Sequence, residues 1–113
     1  MAKNYVCDGK VMDYQNAGAS MIASGAVVPM AAMIGIAETN IAPGKVGAVS
    51  IVGVFSLPKK TGSGAALTAG GGAWWDGTNK QIVGAAADGL IPAGKVFADA
   101  GDSAASVRIK INA

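Results

Sequence analysis

Glycine spacing limits what this chain can fold into more than any other feature of its sequence. The 113 residues include 17 glycines, and the longest stretch without one runs only from Asp102 to Ala113. The next longest, Ala26 to Ile34, contains Pro29. Because a helix interior loses about 1 kcal/mol for each Gly and about 3 kcal/mol for each Pro, helices here would be short and interrupted. Val and Ile, which far outnumber Leu, favour pleated strands instead. The sequence therefore predicts an all-β fold.

The length and composition predict one modest core. Hydrophobic residues make up 51% of the chain, but many of them are Ala, and a chain of this length is typical of one domain. We therefore expect residues 1–113 to form a single β domain. The predicted architecture is a small antiparallel β-sandwich or barrel-like fold with long loops rich in Gly and Ala.

Turn-forming residues divide the apolar segments into short candidate strands. Asp8-Gly9 is a strong signal for a two-residue hairpin turn, and Ser24-Gly25 is a weaker one. A turn is predicted over Ala42–Lys45, because its Pro presets φ and its Gly supplies a positive φ. The predicted strands are Asn4–Cys7, Lys10–Tyr14, Met21–Ala23, Ala26–Met30, Ala32–Ala37, Val46–Leu57, Ala73–Trp75, Gln81–Ala86, Val96–Ala98 and Ser106–Asn112.

Two of these strands carry the clearest patterns. Val46–Leu57 is apolar on both faces, which predicts a strand buried on both sides. Ser106–Asn112 alternates apolar with polar residues, so we expect a half-exposed strand whose charged face guards a sheet edge. Lys59–Gly72 and Asp88–Lys95 are predicted to be loops.

The segment Gly89–Val96 nearly matches the phosphate-binding pattern G-x-x-x-x-G-K-[ST]. Val96 stands where that pattern needs a hydroxyl for Mg²⁺, and Pro92 removes one backbone N–H from the cradle. No long helix follows whose N-terminus could bind phosphate. We therefore interpret the segment as an ordinary Pro/Gly turn.

No arrangement of residues points to catalysis. The chain has no His, so Cys7 has no histidine to activate it and is expected to be a small buried hydrophobe on an apolar strand. The Asp residues fall mostly in turns, where they serve the backbone. We assign no catalytic, cofactor-binding or metal-binding residues and expect no enzymatic activity.

Charge and hydropathy also argue against nucleic acid and membranes as partners. The net charge is +2, and no basic cluster exceeds Lys59-Lys60, whereas phosphate binding requires several cations on one face. The uncharged run from Tyr14 to Ala37 is rich in small residues and contains Pro29. It is therefore a poor candidate for a spanning helix.

Trp74 and Trp75 are the candidate interface residues. Adjacent side chains of a strand point to opposite faces, so one ring can fill the core while the other faces solvent, a loop or another chain. A large exposed ring is typical of a protein interface. The alternative, one ring in the core and one under the Lys59–Gly72 loop, is equally compatible with the sequence. We predict that at least one ring lies at a subunit contact.

Nearly the whole chain also resembles a known phage family. The most specific stretches are residues 1–12 and Val52–Lys59, with further matches at Gly35–Ala37, Ala42–Gly47 and Trp75-Asp76. On these residues the sequence resembles the DUF2190 family of tailed-phage proteins, which are described as capsid cement or decoration proteins. Members often carry an older label of RecA/RadA-type recombinase.

The resemblance implies a structural protein of the virion. It implies a small β-fold that is synthesised in the host cytoplasm and binds the outer surface of an icosahedral head. The implied partners are the major capsid protein and further copies of this chain, in a homo-oligomer that is a dimer or a trimer. There the protein would hold neighbouring capsid subunits together against the pressure of the packaged DNA. The family has no catalytic residues to carry over.

Two other functions stay open beside this one. A nucleotide- or DNA-binding recombination factor would agree with the older label, but it needs a complete phosphate loop and a larger α/β sheet than this chain can form. A module displayed on the head that binds a host surface or a glycan is the other alternative.

Overall fold

Nine β-strands build the part of the chain that the structure describes. The computed structural model describes residues 3–4 and 6–113, and the described residues contain no helix, which confirms the predicted all-β class. The strands are β1 (Val11–Gln15), β2 (Val27–Met30), β3 (Met33–Ala37), β4 (Val46–Ser50), β5 (Val54–Pro58), β6 (Gly72–Asp76), β7 (Gln81–Val83), β8 (Ile91–Val96) and β9 (Ser106–Ile111).

The first sheet has four antiparallel strands in the order β1-β4-β3-β2. The predicted turn over Ala42–Lys45 leads into β4: the Lys45 N–H donates to the Ala42 carbonyl at 3.0 Å, and Gly44 has a φ of 78°. The side chain of Asn16, which is 3% exposed, secures this turn region. Its Nδ2 donates to the carbonyls of Ser20 and Ile41 at 2.8 and 2.9 Å.

The second sheet has five antiparallel strands in the order β5-β9-β8-β6-β7. Lys59, directly after β5, forms a parallel bridge with Ile82 of β7, so the sheet curls until its two edge strands meet. The long 59–71 connection is tied to the 99–102 loop. Asp99 Oδ1 accepts the Ala69 N–H at 2.7 Å, and Asp102 Oδ1 accepts the Ala66 N–H at 2.8 Å.

The main core is shared by the two sheets. Ile34 and Ile36 of β3 join the inward side chains of the second sheet, which include Leu57, Trp75 and Ile109. The opposite face of the first sheet covers a smaller cluster of Val28, Ala37, Ile41 and Val49. Burial of such aliphatic side chains contributes about 1.5–3 kcal/mol each. The two sheets therefore pack as a sandwich, and the second sheet is also barrel-like.

Asn112, directly after β9, links three segments of the chain. Its Oδ1 accepts the Ile34 N–H at 3.0 Å, and its Nδ2 donates to the carbonyls of Ile34 and Ile51 at 2.7 and 2.9 Å. The amide thus bonds to the backbone of β3 as a neighbouring strand would. Asn112 has a φ of 58°, a left-handed conformation that Asn adopts more readily than most residues.

The prediction of one doubly buried strand over Val46–Leu57 is wrong. The chain turns at residues 51–53, where Gly53 has a φ of 133°, and passes from the first sheet to the second. Val49 and Leu57 are buried, but Val46 and Val52 are 62% and 51% exposed. Among the described residues, no layer covers the second apolar face of this segment, so only one face is buried.

Two predictions near the C-terminus also need correction. Ile91–Val96 is not a Pro/Gly turn or loop but strand β8, paired with β6 on one side and β9 on the other. The alternating burial predicted for Ser106–Asn112 is observed in β9. This strand lies between β5 and β8, however, so its charged residues do not guard a sheet edge.

The predicted N-terminal hairpin is not observed. Tyr5 lies outside the described residues, residues 6–9 form no strand, and β1 pairs with β4 instead. Cys7 is therefore exposed and not a buried strand residue. Around Ser24-Gly25, the predicted first strand is reduced to a single bridge between Ile22 and Ile41, because β2 pairs with β3.

Replacing Asn112 should test the link between the sheets. Asn112→Ala removes three hydrogen bonds of about 1 kcal/mol each and adds left-handed strain of about 1 kcal/mol. We expect the free energy of unfolding in urea to fall by about 2–4 kcal/mol. Asn112→Gly removes the hydrogen bonds without adding the strain. Its free energy of unfolding should therefore fall by about 1 kcal/mol less than that of Asn112→Ala. A loss below about 0.5 kcal/mol in both variants would contradict the link.

Gly94 should distinguish a strand from a loop in the 89–96 segment. A Cβ on Gly94 would collide with the backbone of β9 at the Lys110 carbonyl oxygen, and φ is 135°. Gly94→Ala should therefore destabilise the protein by more than about 3 kcal/mol. The matched control is Gly89→Ala, which meets nothing within 4 Å and should lose only about 1 kcal/mol. Equal losses in chemical denaturation would argue against the strand.

Candidate interaction surface

The two tryptophans occupy opposite faces of β6. Trp75 is 5% exposed and belongs to the main core, whereas Trp74 is half-buried on the outer face of the second sheet. This is the alternation that their adjacency predicts. The protomer therefore encloses Trp75, and Trp74 is the ring that another chain can reach. That one ring lies at a subunit contact stays a prediction, and Trp74 carries it.

A glycine determines where the Trp74 ring lies. A Cβ on Gly72 would stand 2.8 Å from Trp74 Cη2, so the ring lies over the glycine two residues earlier in β6. Gly72 pairs with Lys95 of β8. The ring is thereby directed toward the basic residues of the neighbouring strands.

Trp74 and five further residues on the same side of the second sheet form what we call the basic face. Gly72 of β6 pairs with Lys95 of β8, and Lys95 pairs with Lys110 of β9. Lys110 pairs in turn with Val54 of β5, so these paired residues form one row across four strands. In the next row the Phe97 N–H donates to the Arg108 carbonyl at 2.8 Å. Paired residues of neighbouring strands point to the same side of a sheet. The basic face consists of Val54, Trp74, Lys95, Phe97, Arg108 and Lys110.

The cations of the basic face have no side-chain partners among the described residues. In the part of the chain that the structure describes, the side chains of Lys95, Arg108 and Lys110 have no hydrogen bond or ion pair. Asp99 borders the same shallow hollow as Arg108, but its Oδ1 binds the Ala69 N–H. The face therefore presents three positive charges to the surroundings.

Asp76, which lies on the same face of β6 as Trp74, is engaged by a turn. Asp76 accepts hydrogen bonds from Asn79 Nδ2 at 2.8 Å and from the backbone N–H groups of Asn79 and Thr78. The side-chain bond from Asn79, followed by its backbone bond, holds the pKa of Asp76 below its usual value. Its negative charge therefore serves the β6–β7 turn and stays present at neutral pH.

Exposed apolar groups flank the charges. Phe97 is 55% exposed and Val54 is 41% exposed. Aromatic residues and Arg are enriched at protein interfaces. Apolar, aromatic and cationic groups therefore share one side of the second sheet.

Sequence reasoning found Trp74 and misinterpreted the three cations of the basic face. Lys95 stood in a segment interpreted as a turn, while Arg108 and Lys110 were assigned to a sheet edge. The alternation of Lys95, Val96 and Phe97 was the available signal, since it places Val96 inward and its two neighbours outward.

The sequence raised three other features: a metal site, a membrane-spanning helix and the phosphate-loop-like segment. In the residues that the structure describes, no group of three or more His, Cys, Asp or Glu side chains could hold a metal ion. The same part of the chain contains no helix long and apolar enough to cross a bilayer. The backbone of Gly89–Val96 is committed to strand pairing from Ile91 onward, so it does not form a phosphate cradle.

Comparison with known proteins decides the family. A family model described as phage cement protein matches residues 6–111. The chain belongs to the phage cement protein family. No curated protein matches the chain, and no solved structure matches it.

Membership confirms the resemblance found in the sequence. The phage cement family indicates association with the phage capsid, a place in the virion and a capsid-stabilising role. These are tasks of adhesion. They direct attention to surfaces of the protein, of which the basic face combines charge with exposed aromatic groups.

The two tryptophans should respond differently to truncation. Trp75→Ala leaves a cavity in the main core and should lower the free energy of unfolding by about 3–5 kcal/mol. Trp74→Ala removes a half-buried ring and should lower the free energy of unfolding by only about 1–2 kcal/mol. Denaturation followed by circular dichroism measures both. If Trp74 lies at a subunit contact, Trp74→Ala should also weaken self-association or capsid binding, and unchanged association would contradict that contact.

Proposed function

We propose that this phage cement protein binds the outer surface of the icosahedral head and joins neighbouring major capsid protein subunits. It acts there as a homo-oligomer, a dimer or a trimer, without catalysis and without a cofactor. The match of the family to residues 6–111 carries the proposal. The half-buried Trp74 and the exposed Phe97 support it, because they offer apolar contacts to a second chain.

The physical basis of the proposed function is linkage. A protein that binds only the assembled lattice stabilises that lattice by its own binding free energy, about 2.7 kcal/mol per site when its concentration is 100 times Kd. The symmetry of a head repeats this contribution at many equivalent sites. An oligomer that engages several subunits at once also gains from the high effective concentration of the second contact.

The fold suits such a task. Its strands are held on both sides through most of the second sheet, and the Asn112 amide joins that sheet to the first. A surface whose backbone is already ordered loses little conformational entropy on binding. More of the contact energy is then available to hold capsid subunits together.

The two alternative functions have less support. A nucleotide-binding recombination factor needs a phosphate cradle, and the segment that resembles one is strand β8. For binding of a host surface or a glycan, no feature of the described residues makes a specific argument.

Particles with and without the protein test the proposal. Heads assembled without it should lose packaged DNA at lower temperature and after milder osmotic shock than complete heads. Adding the purified protein back should restore resistance with saturable stoichiometry. Light scattering of the purified protein should give the mass of a dimer or a trimer.

The outcome that contradicts the proposal is equally clear. If stripped heads withstand heat and osmotic shock as well as complete heads, the protein does not cement the capsid. Saturable ATP binding that Lys95→Ala abolishes would favour the recombination factor. Stable attachment of labelled protein to host cells would favour the host-surface module.

A further inference from the structure

We infer that the basic face is the surface with which the protein docks on the capsid, and that its partner there is an acidic protein surface. The inference rests on the proposed function and names the side of the molecule and the chemistry of the partner. It is carried by the register of the second sheet and by the absence of internal partners for the three cations.

The register places like charges directly opposite each other. Lys95 and Lys110 are paired residues of β8 and β9, and Arg108 lies two residues from Lys110 on the same face of β9. Like charges at directly opposite positions destabilise an antiparallel pair. This arrangement does not stabilise the isolated fold. An anionic partner would attract both lysines and so offset their mutual repulsion.

The net charge of the whole protein makes this local concentration significant. The chain has nine Lys and Arg residues and seven Asp and Glu residues, so its positive charge exceeds its negative charge by only two. Three of the nine lie in two adjacent rows of one face. Among the described residues, the hydrogen bonds of Asp99 and Asp76 go to backbone N–H groups and to Asn79, and neither carboxylate forms an ion pair with these three cations.

The apolar members of the face favour a protein over a nucleic acid. Phe97 and Val54 flank the cations in the same two rows and are exposed. Specific protein interfaces combine aromatic groups and Arg in this way. Tight phosphate binding by contrast commonly uses six to ten cation contacts, and this face has three.

The backbone under the face is fixed before binding. β8 and β9 are interior strands with a partner on each side, and Gly94 allows them to approach so closely that no Cβ fits between them. The cations therefore project from a rigid platform. Complementary charge on such a platform mainly orients the partner and speeds association.

Charge reversal with a matched control tests the inference. We expect Lys95→Glu/Lys110→Glu to bind heads lacking the protein at least about tenfold more weakly than the unmodified chain at low salt. The control, Lys45→Glu/Lys80→Glu, changes the net charge by the same amount at exposed positions outside the face and should bind nearly as well. Affinity of the unmodified chain should fall as salt rises, and the Lys95/Lys110 variant should show a weaker dependence.

A second pair of variants tests the apolar part of the face. Phe97→Ala removes an exposed ring and should weaken head binding about tenfold or more while the thermal unfolding midpoint stays within a few degrees. The matched control is Val46→Ala, which truncates a side chain that is 62% exposed in the first sheet. That control should leave head binding unchanged.

A stability measurement separates function from folding. Lys110→Glu places opposite charges across β8 and β9, so the midpoint of thermal unfolding should stay equal or rise by about 1–5 °C. Head binding should nevertheless weaken. Weaker head binding at equal or higher thermal stability would show that Lys110 serves binding and not folding.

The possible failures are distinguishable. If the unmodified chain does not bind heads at all, the proposed function fails. If it binds and the Lys95/Lys110 variant binds equally well with the same salt dependence, only the inference is overturned. Saturable binding of double-stranded DNA that the same variant abolishes, without loss of head binding, would also overturn it.

Discussion

The arrangement of the two sheets depends on one side-chain amide. Asn112 accepts the Ile34 N–H and donates to the carbonyls of Ile34 and Ile51, so the end of β9 bonds to β3 and to the crossing between the sheets. These bonds hold Ile34 and Ile36 against the second sheet, where they complete the main core. Beyond the shared main core, no strand pairs across the two sheets in the part of the chain that the structure describes. The amide therefore fixes the end of β9 against β3 beside the shared core.

The same constraint explains the distribution of chemistry over the surface. Because β3 covers the inner side of the second sheet, the opposite side remains uncovered and carries the basic face. Trp74 and Trp75 show the division within two residues, since one ring completes the core and the other lies outside over Gly72. The residues that form the core and the residues that we propose for docking thus lie on opposite sides of one sheet. Surface residues can then change partner chemistry without disturbing the core.

Sequence reasoning succeeded where a segment's own residues decide its conformation. The Ala42–Lys45 turn needed only its Pro and Gly, and the alternation of β9 appears directly in its residues. It failed where a distant segment decides. Val46–Leu57 looked doubly buried, but the crossing at Gly53 left one apolar face without a cover. The Asp8-Gly9 turn signal did not produce a hairpin, because β1 found its partner in β4.

Two four-residue segments show most directly what each level determined. Ala42-Pro-Gly-Lys45 and Pro92-Ala-Gly-Lys95 have the same composition, yet the first is a turn and the second is part of strand β8. The sequence alone determined the all-β class, the family and the lack of a complete phosphate loop, because these follow from composition, glycine spacing and local motifs. The tertiary structure decided that β8 is a strand, that its lysine stands opposite Lys110 and that Asn112 joins the sheets. Each of these depends on hydrogen bonds between segments far apart in the chain, which local propensity does not contain.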